Sequence, residues 1–153
     1  MARLEEMTPS LKQVLQGLEC PQYDDEPWVE GPPLSERRIA IISTAGLQER
    51  GDRPFNVGAN DYRVIAGSTN TADIVMSHVS TNFDRTGFQY DVNIAFPIDR
   101  LRELADEGFI GSVADYHYSF MGATDPDDMA STVEFLAPIL KQDQVDAALL
   151  VPV

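Results

Sequence analysis

Two histidines, His78 and His117, are the side chains best suited to acid–base chemistry in this sequence. Each comes shortly after an apolar run typical of a buried strand, at 73–77 and 111–114 respectively. In an open α/β sheet, ligands bind outside the carboxyl ends of the strands. An imidazole with a pKa of about 6.5 can donate or accept a proton near neutral pH. We therefore expect His117 and His78 to meet at one pocket as catalytic residues. The alternative is that each is a hydrogen-bonded structural residue.

Small and hydroxyl-bearing residues at the ends of two strand-like runs are candidates for substrate binding. Ser43, Thr44 and Gly46 close the run at 38–44 and the turn after it, where main-chain N–H groups could approach a carboxylate or phosphate. Tyr118 and Ser119 lie in the aromatic cluster 116–122, which we interpret either as a pocket wall or as a plug in the core. We assign these five residues to substrate binding.

Arginine is scarce in so acidic a chain, and Arg53 is a candidate for binding a substrate carboxylate through two parallel hydrogen bonds. Arg50 and Arg63 are its neighbours in sequence. The alternative is local ion pairing with acidic residues nearby, which are Glu49, Asp52 and Asp61.

A metal site is a further hypothesis, with His78 and His117 joined by a carboxylate from Asp84 or Asp115. No histidine spacing in the sequence fixes two ligands on one element. Cys20 is the only cysteine, which excludes an internal disulfide, a Cys-x-x-Cys redox pair and a cysteine-rich zinc site. We expect no cofactor within the chain and interpret Cys20 as a structural or incidental thiol.

The elements that must position these residues alternate between strands and helices. Strands are predicted by apolar runs at 38–44, 62–65, 73–77, 92–96, 111–114 and 147–153. Helices are predicted at 97–107 and 126–141. This alternation predicts an α/β fold with a mainly parallel sheet flanked by helices, of Rossmann-like or flavodoxin-like type. The polar segments 48–61 and 80–90 are predicted to be loops of the site.

The chain is predicted to contain one globular unit. Residues 1–33 are expected to form an N-terminal helix, starting at Thr8 and Pro9, and an extended arm that wraps the domain. Residues 34–153 are expected to form the α/β domain. A chain of 153 residues that is 43% hydrophobic can fill one core.

The charge of the chain excludes several kinds of partner. A formal net charge of −14 repels nucleic acid and anionic membrane surfaces. The sequence contains no run of about 18 apolar residues, and its first residues lack the apolar core of a secretory signal. We therefore expect a cytoplasmic protein that acts on a small molecule.

Seven blocks of the sequence together resemble the selenoprotein B family of glycine, sarcosine, betaine and D-proline reductases. The blocks are IISTAGL (41–47), GDRPF (51–55), DYRVI (61–65), SH (77–78), FPIDRL (96–101), EGFIG (107–111) and HYSFMG (117–122). The resemblance implies that a selenocysteine or cysteine attacks the α-carbon of a substrate held as a Schiff base on a partner subunit's pyruvoyl group, and that a C–N bond is cleaved reductively. In the proteins that this chain resembles, the reactive motif follows a strand like 147–153.

We therefore expect a reductase subunit whose nucleophile lies beyond Val153, with Cys or selenocysteine and a partner's pyruvoyl group implied by the resemblance. A homo-oligomer or a hetero-oligomer with another reductase subunit is expected, since a strand at 147–153 without a following helix leaves one face of the sheet open. One alternative is a noncatalytic binding or assembly domain of the same fold. Another is a metal-dependent lyase or hydrolase that uses His78 and His117.

Overall fold

The computed structural model describes residues 4–17, 26, 28–81 and 83–153. The chain divides into two compact units, Met1–Glu30 and Gly31–Val153. The first unit contains a 3-10 turn over Leu4–Glu6 and helix α1 over Pro9–Gln16. Cys20 lies outside the described residues, and the wrapping of the arm around the domain stays a prediction.

The second unit is a mixed α/β fold built on a mainly parallel sheet. Its elements in chain order are β1 (Arg38–Ser43), β2 (Leu47–Glu49), β3 (Arg63–Ala66), β4 (Ile74–Met76), α2 (Thr86–Tyr90), α3 (Ile98–Asp106), β5 (Ser112–Val113), β6 (Tyr116–Ser119), α4 (Pro126–Gln142) and β7 (Ala147–Val151). Strand β1 is central, because β7 pairs with one side of it in parallel while β5 and β6, also parallel, share the other side. Strand β3 pairs antiparallel with β6, and β2 and β4 form a separate antiparallel pair.

Helices α3 and α4 occupy the segments where sequence periodicity predicts them, and the predicted strand at 92–96 is wrong. A 3-10 turn spans Val92–Ile94, because the carboxylate of Asp91 accepts a hydrogen bond from the N–H of Asn93 and starts a turn. No helix among the described residues is long and apolar enough to cross a membrane.

Two apolar clusters pack on the central strands. One contains Ile39 and Ile41 of β1 with Ile65, Phe96 and Leu101 among others. The second joins Tyr118 and Phe120 to Met129 and Leu136 of α4. Strand β1 is therefore covered on both faces, as its nearly continuous β-branched sequence predicts.

The strand pairing beside β1 is interrupted by two extra residues, which we call the 114–117 bulge. Ile39 and Ile42 are three residues apart on β1, whereas their partners, Val113 and Tyr118, are five residues apart. A bulge bends a strand and changes the direction of the side chains that follow it. The bulge thus sets where β6 and the residues after it lie.

Strand β7 forms as predicted but is not the buried core strand that its composition suggests. It pairs with β1 alone among the described strands. Leu149 is 38% exposed and Leu150 is 66% exposed. Within the described residues, one edge of the sheet and part of both faces are therefore uncovered at β7.

Candidate functional site

The carboxyl ends of β1, β6 and β7 meet at Thr44, Gly122 and Val153. The hydroxyl oxygen of Thr44 accepts a hydrogen bond from the N–H of Val153 at 2.8 Å. The N–H of Thr44 donates to the carbonyl oxygen of Val151 at 3.1 Å, and the N–H of Gly122 donates to that of Thr44 at 2.8 Å. These bonds tie the three strand ends into one edge, which we call the carboxyl edge.

Gly122 fits the carboxyl edge because it lacks a side chain. A Cβ atom at this residue would lie 2.5 Å from the carbonyl oxygen of Val153 and 2.9 Å from that of Thr44. Main-chain atoms cannot move aside as a side chain can. The exposed Gly122 therefore lets the chain after β6 lie directly against the chain after β7.

Gly46 forms the predicted turn after β1 and brings it against His78. Its φ is +64°, and an added Cβ would lie 3.0 Å from the Cα of His78 and 3.1 Å from the Cε of Met121. The N–H of Gly46 donates to the carbonyl oxygen of Phe120 at 2.9 Å. This N–H is thus used by the fold, which removes it from the predicted anion site.

Ser43 is also used internally. Its hydroxyl is fully buried, donates to the carbonyl oxygen of Ala95 at 2.9 Å and accepts from the N–H of Ala45 at 3.2 Å. Of the three residues predicted to bind substrate after β1, Thr44 alone lies partly exposed, at the carboxyl edge.

The imidazole of His78 is buried and neutral. Its Nδ1 accepts a hydrogen bond from the N–H of Ser80 at 3.2 Å, so the proton of the neutral ring lies on Nε2. Its ring centroid lies 4.9 Å from that of Phe83. Burial, with a smaller effect from the charge of Arg85, lowers the pKa of His78. The side chain of Arg85 donates to the carbonyl oxygens of His78 and Ser80, which fixes the segment around the histidine.

His117 lies inside a strand, whereas the sequence suggests a position after one. Its side chain is fully buried, and its Nδ1 accepts a hydrogen bond from the N–H of Ile41 at 3.0 Å. Its ring packs edge to face on Phe96, with 5.6 Å between centroids. Burial lowers the pKa of His117 to about 4. The two histidines thus have different neighbours, and their catalytic roles stay predictions.

Tyr118 and Ser119 are core residues of β6. Tyr118 packs edge-on against Tyr62 with 5.5 Å between ring centroids, and burial raises its pKa to about 12. The hydroxyl of Ser119 accepts a hydrogen bond from the N–H of Leu47 at 2.8 Å. The structure thus matches the core-plug interpretation of these two residues, and their binding of substrate stays a prediction.

The side chain of Arg53 is exposed and pairs with Asp61, which matches the local-pairing alternative, and its binding of a substrate carboxylate stays a prediction. Its neighbour Arg63 is the buried arginine of this region. Arg63 donates to the carbonyl oxygens of Arg53, Tyr62 and Pro54, and its guanidinium carbon lies 4.2 Å from the ring centroid of Phe55. Arg63 therefore organises the segment 53–63, a function that the sequence does not distinguish from that of Arg53.

The part of the chain that the structure describes contains no group of three His, Cys, Asp or Glu side chains that could hold a metal ion. Asp84 accepts a hydrogen bond from the N–H of Thr86 at 2.9 Å. Asp115 pairs with Arg38 at 3.1 Å. The predicted set of two histidines and a carboxylate does not form among these residues.

Sequence reasoning also missed Asp143, the residue that follows α4. Its carboxylate accepts hydrogen bonds from the N–H groups of Asp115 and Tyr116 in the 114–117 bulge, at 3.0 and 3.2 Å. It also pairs with Arg38 at 2.6 Å. Asp143 thus satisfies the N–H groups that the bulge removes from the ladder, a long-range contact that has no local sequence signal.

Residues 21–153 match the family model of glycine/sarcosine/betaine reductase selenoprotein B. The chain belongs to this family. It is 35% identical over 120 residues to the D-proline reductase subunit gamma of Acetoanaerobium sticklandii, an alignment that covers 76% of this chain and 49% of that subunit. It is 30% identical to the glycine reductase complex component B subunit gamma of Carboxydothermus hydrogenoformans and 29% identical to the betaine reductase complex component B subunit beta of Peptoclostridium acidaminophilum.

The chain spans about half the length of the D-proline reductase subunit and 28% of the length of the other two relatives. The alignments with these two relatives cover 76% of this chain. No solved structure matches the chain. The match to the selenoprotein B family therefore rests on sequence, and it covers both the carboxyl edge and the 114–117 bulge.

Proposed function

We propose that this chain supplies the α/β domain of a reductase subunit that cleaves a C–N bond of a small amino-acid-type substrate at the carboxyl edge. The nucleophile is a selenol or thiol in residues beyond Val153 of the longer reductase. Membership of the selenoprotein B family supports a reductase subunit. The relatives named as components of D-proline, glycine and betaine reductases support a small amino-acid-type substrate and a multi-subunit complex.

The observation that carries the proposal is the hydrogen bond from Val153 to Thr44, with Gly122 packed on both. The chain leaving β7 is fixed by the side-chain acceptor of Thr44, directly after β1, and by a main-chain contact from the segment after β6. A residue that follows Val153 therefore starts from a defined position at the edge where open α/β sheets bind ligands. A rigid support of this kind must hold a nucleophile within about 0.5 Å of its productive position.

The proposed reaction is balanced by an external dithiol. The selenolate or thiolate bonds to the α-carbon, the C–N bond breaks, and its electron pair leaves with the amine, which takes up a proton. A thiol then attacks the selenium or sulfur of the adduct, the carbon leaves with a proton, and a selenide–sulfide or disulfide bond remains. Two electrons from the dithiol reduce that bond. A pyruvoyl group on a partner subunit would activate the substrate amine, and the described residues of this chain serve to position the nucleophile.

The test is reconstitution of the complete reductase with this subunit. D-proline, glycine, sarcosine and betaine are supplied separately with an excess of dithiol, and the products are quantified by NMR. These are the amine and the reduced acid for the three acyclic substrates and one ring-opened amino acid for D-proline. We expect one of the four to be consumed. The variant Thr44→Val should lower kcat by about tenfold or more because it removes the acceptor for the Val153 N–H, which corresponds to about 1.4 kcal/mol. The matched control Thr44→Ser keeps the hydroxyl and should retain activity.

Two results contradict the proposal. One is an assembled complex that reduces none of the four substrates. The other is equal activity of the Thr44→Val and Thr44→Ser complexes, which would show that the carboxyl edge does not position the reacting group.

A further inference from the structure

The 114–117 bulge leaves the main-chain N–H of Ile41 on β1 without a carbonyl acceptor in the neighbouring strand. In an uninterrupted parallel ladder, the N–H of Ile41 would donate to a carbonyl oxygen of the neighbouring strand. The two extra residues break that pattern opposite Ala40 and Ile41. Both residues are fully buried, so bulk solvent does not reach the N–H of Ile41 to replace the lost acceptor. A buried N–H without a partner costs about 1–3 kcal/mol.

His117 supplies the missing acceptor from a side chain. Its Nδ1 lies 3.0 Å from the main-chain nitrogen of Ile41. A nitrogen that accepts a hydrogen bond carries no proton, so the ring is neutral with its proton on Nε2. Nε2 has no hydrogen-bond partner among the described residues. The imidazole therefore accepts a hydrogen bond from β1 with Nδ1, while Nε2 is buried without a partner among the described residues.

The opposite side of the bulge is held by other groups. Asp143 accepts the N–H groups of Asp115 and Tyr116, and the N–H of Gly67 donates to the carbonyl oxygen of Asp115 at 2.7 Å. A Cβ at Gly67 would lie 2.5 Å from the carbonyl oxygen of Ala114. The bulge is thus fixed from β1, from the residue after α4 and from the turn after β3. Ala114, Asp115 and His117 each bond to β1, and His117 does so through the N–H of Ile41.

The register after the bulge determines the geometry of the carboxyl edge. Tyr118 and Ser119 pair with Ile42 and Ser43, and the N–H of Phe120 donates to the carbonyl oxygen of Ser43 at 2.8 Å. Three residues after Ser119, Gly122 meets Thr44 and Val153. A shift of β6 by one residue would turn each side chain to the opposite face.

We propose that His117 is a positioning residue, whose neutral imidazole fills the acceptor gap opposite Ile41 and holds β6 in the register that places Gly122 against Thr44 and Val153. The proposal rests on the proposed function only where it concerns activity. It differs from the predicted proton transfer by His117, because the ring acts through a hydrogen bond within the sheet and touches no substrate.

The charges around His117 favour the neutral ring on balance. Arg102 of α3 and Arg38 of β1 disfavour its protonation, whereas Asp143 after α4 favours it. Burial is the largest effect and acts in the same direction as the two arginines. The aromatic ring of Phe96 covers the imidazole without adding a charge.

The first test uses the intact wild-type chain and no substrate. Long-range ¹H–¹⁵N spectra of the imidazoles report the tautomer and the charge of each ring. We expect His117 to remain neutral with the proton on Nε2 between about pH 5 and pH 8. A His117 ring that protonates near its ordinary pKa, or that carries its proton on Nδ1, overturns the proposal.

The second test compares two variants. His117→Asn places an amide oxygen near the position of Nδ1, whereas His117→Leu fills the space without an acceptor. We expect the Ile41 amide to exchange with solvent about tenfold or more faster in His117→Leu than in His117→Asn, because only the leucine leaves that N–H without a partner. Each exchange rate is compared with that of the Leu101 amide of α3, which donates to the carbonyl oxygen of Pro97, in the same protein. Equal relative rates in the two variants overturn the proposal.

Activity of the reconstituted reductase separates positioning from proton transfer. If His117 positions β6, the His117→Asn complex retains most of the wild-type kcat and the His117→Leu complex loses most of it. Equal loss in both variants, with the spectra of the fold unchanged, would identify the ring itself as the reacting group and overturn the positioning role. Because the NMR and exchange tests need no reductase activity, their outcome is independent of the proposed function.

Discussion

Gly122 and Val153 lie so close together that a single added carbon would not fit between them. A Cβ at residue 122 would be 2.5 Å from the carbonyl oxygen of Val153, well inside van der Waals contact. The two residues follow different strands, β6 and β7, and both hydrogen bond to Thr44. Side-chain size at residue 122 therefore controls the distance between two strand ends of the proposed site.

Gly122→Ala should lower the free energy of unfolding by about 1–3 kcal/mol, because the methyl group forces main-chain atoms apart. The matched control is Gly87→Ala in α2, where the nearest atom to an added Cβ is the flexible Cδ1 of Ile94 at 3.3 Å. Urea unfolding followed by circular dichroism measures both. A Gly122→Ala variant as stable as Gly87→Ala would contradict the close contact.

Asp143→Asn should cost about 2 kcal/mol of stability, because the partly buried carboxylate serves two bulge N–H groups and the guanidinium of Arg38. Asp73→Asn is the matched control. Asp73 pairs with Arg50 at 3.4 Å, and both side chains are more than half exposed. Its replacement should cost less than about 1 kcal/mol. Similar losses in the two variants would show that Asp143 does not support the bulge.

Lowering the pH should destabilise the protein through His117. Its pKa is about 4 in the folded chain and about 6.5 in the unfolded chain, so between these values the unfolded chain binds the extra proton. The stabilisation is complete above pH of about 6.5 and falls by about 3 kcal/mol as the pH drops to about 4.

The pH effect is measured as the difference between wild type and His117→Asn in urea unfolding at several pH values. Carboxyl groups and His78 titrate in both proteins and cancel from the difference. A difference that does not change across this pH range would contradict the buried neutral ring.

Arg63→Lys should destabilise the domain by about 2–3 kcal/mol, because lysine cannot reach three carbonyl oxygens and stack on Phe55 at the same time. Arg53→Lys, at an exposed arginine of the same segment, is the control and should change stability by less than about 1 kcal/mol. Limited proteolysis at 50–62 reports the local effect. Equal protease sensitivity of the two variants would show that Arg63 does not hold this segment.

Regular apolar patterns explain which elements could be predicted from the sequence. The strands at 38–44 and 147–153 and the helices at 97–107 and 126–141 each have an apolar run or a helical period that local chemistry is enough to recognise. Strand β6 has no such pattern, because Tyr116, His117, Tyr118 and Ser119 alternate polar and aromatic groups and the polar ones are satisfied by distant main-chain N–H groups. Its place in the sheet depends on contacts about 75 residues away along the chain, which a local pattern does not contain.

The sequence predicts part of the candidate site, as it predicts part of the fold. The position of Thr44 at a strand end follows from the rule that loops after parallel strands share one edge. The approach of Gly46 to His78 does not follow from it, because His78 comes after β4, which pairs antiparallel with β2. The burial of His117 and Arg63 does not follow from that rule. The fold buries Arg63 and leaves Arg53 exposed. Both residues are arginines, so residue type does not predict which of them is buried.

Strand β7 also determines how the isolated chain behaves in solution. No described strand pairs with its outer edge, and Ala147–Val151 contains neither a charge nor a proline to discourage pairing there. A net charge of −14 keeps molecules apart while its field is unscreened. The range of that field falls from about 30 Å at 0.01 M salt to about 8 Å at 0.15 M salt. Added salt therefore lets the apolar edges of two molecules meet, and colloidal stability of this acidic chain should be greatest in dilute buffer.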